Sequence, residues 1–180
     1  ELFIHKKRGR LQGWIGYTLA WSQSKFAELN FGKAFFSRQD RRHSLSVMTI
    51  FQINEGWSLS ASWVYMTGNA ITLANSIYSN VDIPSNLLYI PSASTPVNYE
   101  YSGINNFRMP AYHRFDLGVS FKKQRNNIFT ELELSVYNVY NRQNAYFYYV
   151  LTSNDSSGIK NNNTVNQLSV LPVIPSINYK

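Results

Sequence analysis

Apolar and polar residues alternate along this chain with a period of two, in runs of about ten residues. Very short and very long connections join these runs by turns. Between residues 57 and 66 the odd positions read Trp57, Leu59, Ala61, Trp63 and Tyr65, while the even ones begin Ser58, Ser60 and Ser62. Between 114 and 122, Phe115, Leu117, Val119 and Phe121 fall on one face, and Arg114, Asp116, Gly118, Ser120 and Lys122 on the other. Such a pattern makes a sheet with one apolar and one polar face. About ten tilted residues is also the length of a strand that crosses a bilayer's hydrocarbon core. Short turns at one edge and long loops at the other are the habit of outer-membrane barrels. The expected fold is therefore all-β: an antiparallel, transmembrane β-barrel segment.

Composition narrows the alternatives. The 180 residues suit one domain and include no cysteine, so neither a disulfide framework nor a cysteine-based zinc site is available. Mean hydropathy is -0.29, and no apolar run is long enough for a spanning helix. Aromatics make up 16% of the chain, led by 13 tyrosines, which fits the interfacial belts of a barrel but also a soluble β-rich lectin. The net charge of +7 invites a nucleic-acid reading. Its basic residues are dispersed among turns and one loop with no nucleic-acid-binding motif, so no nucleic-acid partner is expected.

The runs predict strands over residues 1–6, 11–22, 43–54, 57–66, 113–122, 128–138 and 167–179. Asn54-Glu55-Gly56 reads as a three-residue hairpin loop with its glycine in the left-handed conformation. That loop sets Phe51 opposite Leu59, Val47 opposite Trp63 and Leu45 opposite Tyr65, apolar against apolar each time. The next hairpin brings Lys122 to Glu131. Pro172 and Pro175 predict a bulge or irregular stretch in the last strand, since proline cannot donate to a ladder. Seven strands leave two open edges, which lipid does not tolerate, so the chain is expected to be part of a larger barrel.

Three stretches stand at the long-loop edge: residues 38–43 (Arg-Gln-Asp-Arg-Arg-His), 109–117 (Met-Pro-Ala-Tyr-His-Arg-Phe-Asp-Leu) and 137–144 (Tyr-Asn-Val-Tyr-Asn-Arg-Gln-Asn). In that order and spacing the chain resembles the C-terminal end of TonB-dependent outer-membrane receptors, most of all the group carrying an N-terminal carboxypeptidase-regulatory-like domain. The resemblance implies that residues 1–180 are the C-terminal part of a barrel of about 22 strands. Plug and N-terminal strands would lie outside this segment. It further implies active nutrient import across a Gram-negative outer membrane. Implied partners are outer-membrane lipid, the plug and remaining barrel, the TonB complex acting through the plug, and a small nutrient ligand, with a surface lipoprotein as a further candidate. No cofactor is implied. One departure is the C-terminus, where the family ends on an aromatic and this chain on Lys180. The rival readings are a passive porin and a soluble carbohydrate-binding sandwich.

Candidate sites follow from the same placement. Arg38, Asp40, Arg41, Arg42 and His43 lie where a loop enters a strand; they read as an anchor in preference to a patch gripping an anionic ligand or lipid phosphates. Arg114, Asp116, Glu131 and Glu133 fall on the polar, lumen-facing side. Arg114 and Asp116 share a face that His113 does not, and no nucleophile with a base accompanies them, so no enzymatic activity is expected. His5, His43 and His113 show no ligand spacing, so no metal site is expected. Tyr78, Tyr89, Tyr99 and Tyr101, with Tyr146, Tyr148 and Tyr149 in the next loop, are the ligand-facing candidates, against a bland role in packing loops together. Trp14, Trp21, Trp57 and Trp63 read as belt or lipid-face residues.

Overall fold

Period-two patterning does yield one broad antiparallel sheet. The computed structural model of the chain describes residues 1–79, 97–125, 128–154 and 161–180. Seven strands build the sheet: β1 (Leu2–Lys6), β2 (Leu11–Leu19), β3 (His43–Gln52), β4 (Trp57–Met66), β5 (Tyr112–Arg125), β6 (Ile128–Tyr137) and β7 (Ile174–Tyr179). Their order across the sheet is their order along the chain. Among the described residues there is no α-helix, only a single 3-10 turn at Asn30–Gly32. The long connections carry small two-stranded ribbons: Gln23–Ser24 with Phe35–Phe36, Ala70–Ile71 with Phe107–Arg108, Ser76–Ser79 with Val97–Glu100, and Ala145–Asn154 with Asn161–Ser169.

The β3–β4 register is the expected one: Leu45 faces Tyr65, Val47 faces Trp63 and Phe51 faces Leu59. Its turn is closed differently. Gly56 is not left-handed; instead the Asn54 side-chain oxygen accepts the N–H groups of Gly56 (3.0 Å) and Trp57 (2.9 Å). An asparagine that mimics the backbone in this way removes the need for a positive φ. At the next hairpin, Lys122 Nζ lies 3.1 Å from Glu131 Oε1.

Three strand boundaries move by three residues or more: β5 runs on past residue 122 to Arg125, paired with Ile128, and the other two move for a local reason. β2 stops at Leu19 rather than residue 22 because the Ser22 N–H is taken by the Asp40 carboxylate (2.7 Å) and not by a ladder partner. The last strand starts at Ile174, not 167, because residues 167–169 belong to a separate ribbon within the loop. Pro175 nevertheless sits inside β7. Glu131 and Lys180 exchange both backbone hydrogen bonds (2.9 Å each), so pairs two residues on repeat that arrangement and Pro175, facing Val136, does not. Its nitrogen therefore points away from β6, where no ladder donor is lost.

Register makes the two faces continuous. Leu11, Phe51, Leu59, Val119, Leu134 and Ile177 form an unbroken apolar row across six strands. Beside it on the opposite face run Gln12, Ile50, Ser60, Gly118, Ser135 and Ser176. Trp14 departs from the expected belt position: it pairs with Met48 on the polar face, 5.9 Å from the Phe3 ring. Among the described residues the only buried apolar side chains are Ala70 and Met109, both in loops. The sheet's apolar face has no second layer over it there; Leu134 is 49% exposed and Ile177 71%.

Candidate functional site

The long loops meet at one edge of the sheet, and Asp40 is the point they share. Its side chain is fully buried. It accepts the Ser22 N–H and forms an ion pair with Arg108, whose other guanidinium nitrogen donates to the carbonyls of Asp40 (2.7 Å) and Gly68 (2.9 Å). Three loop segments, around residues 22, 40 and 68, are thus tied by one arginine from a fourth. Gly68 is needed for that approach: a Cβ there would fall 1.8 Å from the Met109 carbonyl oxygen. Burial pushes the Asp40 carboxyl up, but the Ser22 N–H and the Arg108 guanidinium outweigh it and hold it below the usual carboxylate range.

The other arginines of the cluster separate by partner. Arg42 lies over the rings of Trp21 (5.7 Å) and Phe36 (5.5 Å), and Arg108 covers Phe36 as well (5.3 Å). Arg41 Nε donates to the Asn69 side-chain oxygen (2.8 Å). His43 Nδ1 meets Tyr17 Oη at 2.8 Å. Arg38 is exposed and makes no hydrogen bond or ion pair among the described residues.

A second knot joins β5 and β6. Arg114 Nε lies 2.9 Å from Asp116 Oδ2, and its Nη1 donates to Tyr137 Oη (2.8 Å) and Tyr112 Oη (3.2 Å). The free oxygen of Asp116 accepts the Asn138 N–H (2.9 Å). Asn138, Asn141 and Asn144 then hold the chain as it leaves the sheet. Asn138 is buried and its amide bonds both backbone groups of Arg142 and the Leu171 carbonyl. Asn141 accepts the Val173 N–H. Asn144 accepts the His113 N–H (3.1 Å) and donates to its carbonyl (2.9 Å), as a strand residue would. His113 itself reaches Tyr140 Oη (2.8 Å), on the other face from Arg114. Glu131 accepts from Ser120 Oγ (3.2 Å), and Glu133 shares its face.

Between these knots lies a cleft of about 610 Å³, running on into one of about 340 Å³. Arg38, Asn69, Tyr146 and Phe147 line both parts. Tyr112 and Tyr137 line the larger, Tyr148 and Asn105 the smaller. Of the tyrosines singled out above, Tyr146 and Tyr148 therefore meet Arg38, although Tyr148 also packs edge-on to Phe107 and donates to Gln167. Tyr99 and Tyr101 stack on each other at 6.4 Å and line neither part; Tyr149 packs by Phe147. The side chain of Tyr78 and the whole of Tyr89 lie outside the described residues.

Arg108, Asn69, Tyr137 and the asparagine series were not foreseen as site residues. The spacing of Asn138, Asn141 and Asn144 was visible, but nothing in the sequence couples Arg108 to an aspartate 68 positions away. No family model, no curated protein and no solved structure matches this chain.

Proposed function

We propose that this chain is a wall segment of a TonB-dependent active importer in a Gram-negative outer membrane, with the long-loop edge outside the cell. The observation that carries the reading is the uncovered apolar face. An unbroken apolar row crosses six of the seven strands with no packing layer among the described residues, while the opposite face holds serines, glycines and ion pairs beside Met48, Ile50 and Val64. A soluble sandwich would bury that face against a second sheet. Aromatic side chains also bound the band at both ends: Trp57 and Phe121, 4.8 Å apart, near the short turns, and Tyr17, Tyr65 and Phe115 near the long loops. Eight residue steps at about 3.4 Å put Trp57 and Tyr65 roughly 27 Å apart along the strand. At a tilt of about 40° that rises about 21 Å, within the roughly 25 Å height of a barrel's lipid-facing band.

In this reading the polar face lines the lumen. β1 and β7 each pair on one side only, and further strands of the same receptor complete the wall, since unpaired backbone is not tolerated in lipid. The long loops and the cleft they enclose receive a small nutrient, and a plug linked to the TonB complex releases it inward. Import rather than passive diffusion rests on the resemblance of the three long-loop-edge stretches.

Fractionation of the native polypeptide tests the reading. Recovery from outer membranes only with detergent, at an intact mass several times 20.8 kDa, is the expected result. A water-soluble protein of about this mass overturns it. Loss of nutrient uptake when the inner-membrane proton gradient is collapsed separates an importer from a porin, whose flux persists.

A further inference from the structure

We propose that Arg38 is the anion-binding residue of a ligand site in the long-loop cleft, and that the ligand is a small ring compound bearing an ionised carboxylate or phosphate. The inference deepens the import reading, on which it rests for the cleft's place in a lumen.

Five of the arginines at this edge are already engaged or held. Arg108 is bound by Asp40, Arg114 by Asp116 and Arg41 by Asn69; Arg42 is held over two rings, and Arg142 donates to the Ala111 carbonyl (3.4 Å). Arg38, five residues before the start of β3 and on the same short segment as Asp40, is left with five donors and no acceptor among the described residues. Among the described residues no carboxylate lines either part of the cleft, so none of them neutralises its charge from within. Across from it stand Tyr146 and Phe147, from a different loop. A guanidinium fork matches the two oxygens of a carboxylate or phosphate, and aromatic faces beside it accept a flat ring or the apolar face of a sugar. The volumes, about 610 and 340 Å³, suit a small molecule rather than a polymer chain.

The cleft's side of the sheet discriminates against a lipid phosphate. Tyr112 and Tyr137 line it, and both hydroxyls bond Arg114 on the polar face. The opening therefore lies opposite the apolar rows. A lipid headgroup would meet the protein on the other face.

Equilibrium binding to the purified native full-length protein provides the test, read by tyrosine fluorescence with paired probes that differ in charge: D-glucuronate against D-glucose, and benzoate against benzyl alcohol. In at least one pair the charged member is expected to bind tenfold or more tightly at low salt. Arg38→Gln should erase that preference, while Arg38→Lys should keep part of it, because the charge survives and the fork does not. Tyr146→Ala should weaken both members of the pair alike. An unchanged far-UV spectrum in each variant shows that the fold is intact. Equal binding within both pairs, no binding of either charged probe at 10 mM, or a preference that survives in Arg38→Gln would each overturn the proposal. Binding at equilibrium needs no energised membrane. Arg38-dependent binding by a protein that fractionates outside the outer membrane would therefore keep the site and remove the importer, and outer-membrane recovery without it would do the reverse.

Discussion

Replacing Asp40 with alanine should loosen the long-loop edge without unfolding the sheet. Two interactions are lost. The Ser22 N–H loses a charged acceptor at 2.7 Å, and a hydrogen bond to a charged group contributes about 1.5–3 kcal/mol. Arg108 loses its carboxylate; stripping one partner from a fully buried pair costs about 3–5 kcal/mol, but the Arg108 side chain is one-third exposed, so water takes over much of it and about 1 kcal/mol is the fair share. The sum is roughly 2.5–4 kcal/mol, felt as local opening. Hydrogen exchange at the Ser22 amide should accelerate roughly 70- to 900-fold, while amides in the middle of β4 and β5 stay within a few-fold of native. Asp40→Asn keeps an acceptor for Ser22 and loses only the charge, so it should fall between. The native protein should also show the pH dependence of a depressed carboxyl. Because the folded value lies below the unfolded one, near 3.9, the anchor is fully present above that pH and fades as pH falls toward the folded value. Asp40→Asn should abolish that dependence. Ser22 exchange in Asp40→Ala within threefold of native would refute the reasoning, since the tie would then have been held by something else.

Three further outcomes follow from the faces and the turns. Leu117→Arg, in the middle of the apolar band between Ala61 and Val136, should cost about 2–4 kcal/mol of insertion into lipid vesicles, whereas Ser58→Arg on the polar face should leave the folded yield near native; gel mobility shifts before and after heating measure both. Asn144→Ala leaves the N–H and C=O of His113 without their partner and should destabilise the start of β5 by about 1–3 kcal/mol, read as faster exchange at the His113 amide. Asn54→Ala should cost about 1 kcal/mol, seen as faster exchange at the Gly56 and Trp57 amides.

The sheet was legible because its signal is repeated. Each strand states its face many times, and a one-residue slip would move every apolar side chain to the other side, so Phe51, Val47 and Leu45 together fix what none fixes alone. The Asn54 turn shows where such redundancy ends. Two closures of similar length were open to it, and a single side-chain oxygen chose the one without a left-handed glycine. Asp40 illustrates the same limit over distance. That it anchors a loop could be read from its neighbours in sequence, but the arginine that binds it comes from residue 108, and nearby Arg41 and Arg42 have other partners. Tyr146 could be named as a rim aromatic. Its meeting with Arg38 depends on how two loops pack, which no periodicity encodes.

Sheet and rim are thus held by different chemistry, and the difference bears on how such a site could vary. Within the sheet the backbone ladder carries the pairing, and side chains need only be apolar or polar in turn. At the rim the ladder runs out, and single side chains replace it: Asn144 bonds His113 as a strand would, Asn138 and Asn141 fasten residues 142, 171 and 173, and Asp40 collects residues 22 and 108. Asn138 and Asn141 also adopt φ near +54° and +52°, a region asparagine tolerates better than most residues, so both geometry and bonding resist substitution there. Arg38 and Tyr146 carry no such duty among the described residues. Under the binding role proposed for the cleft, substituting either should change what it holds while leaving its walls in place, which is the arrangement expected of a rim whose frame is fixed and whose ligand contacts are free to change.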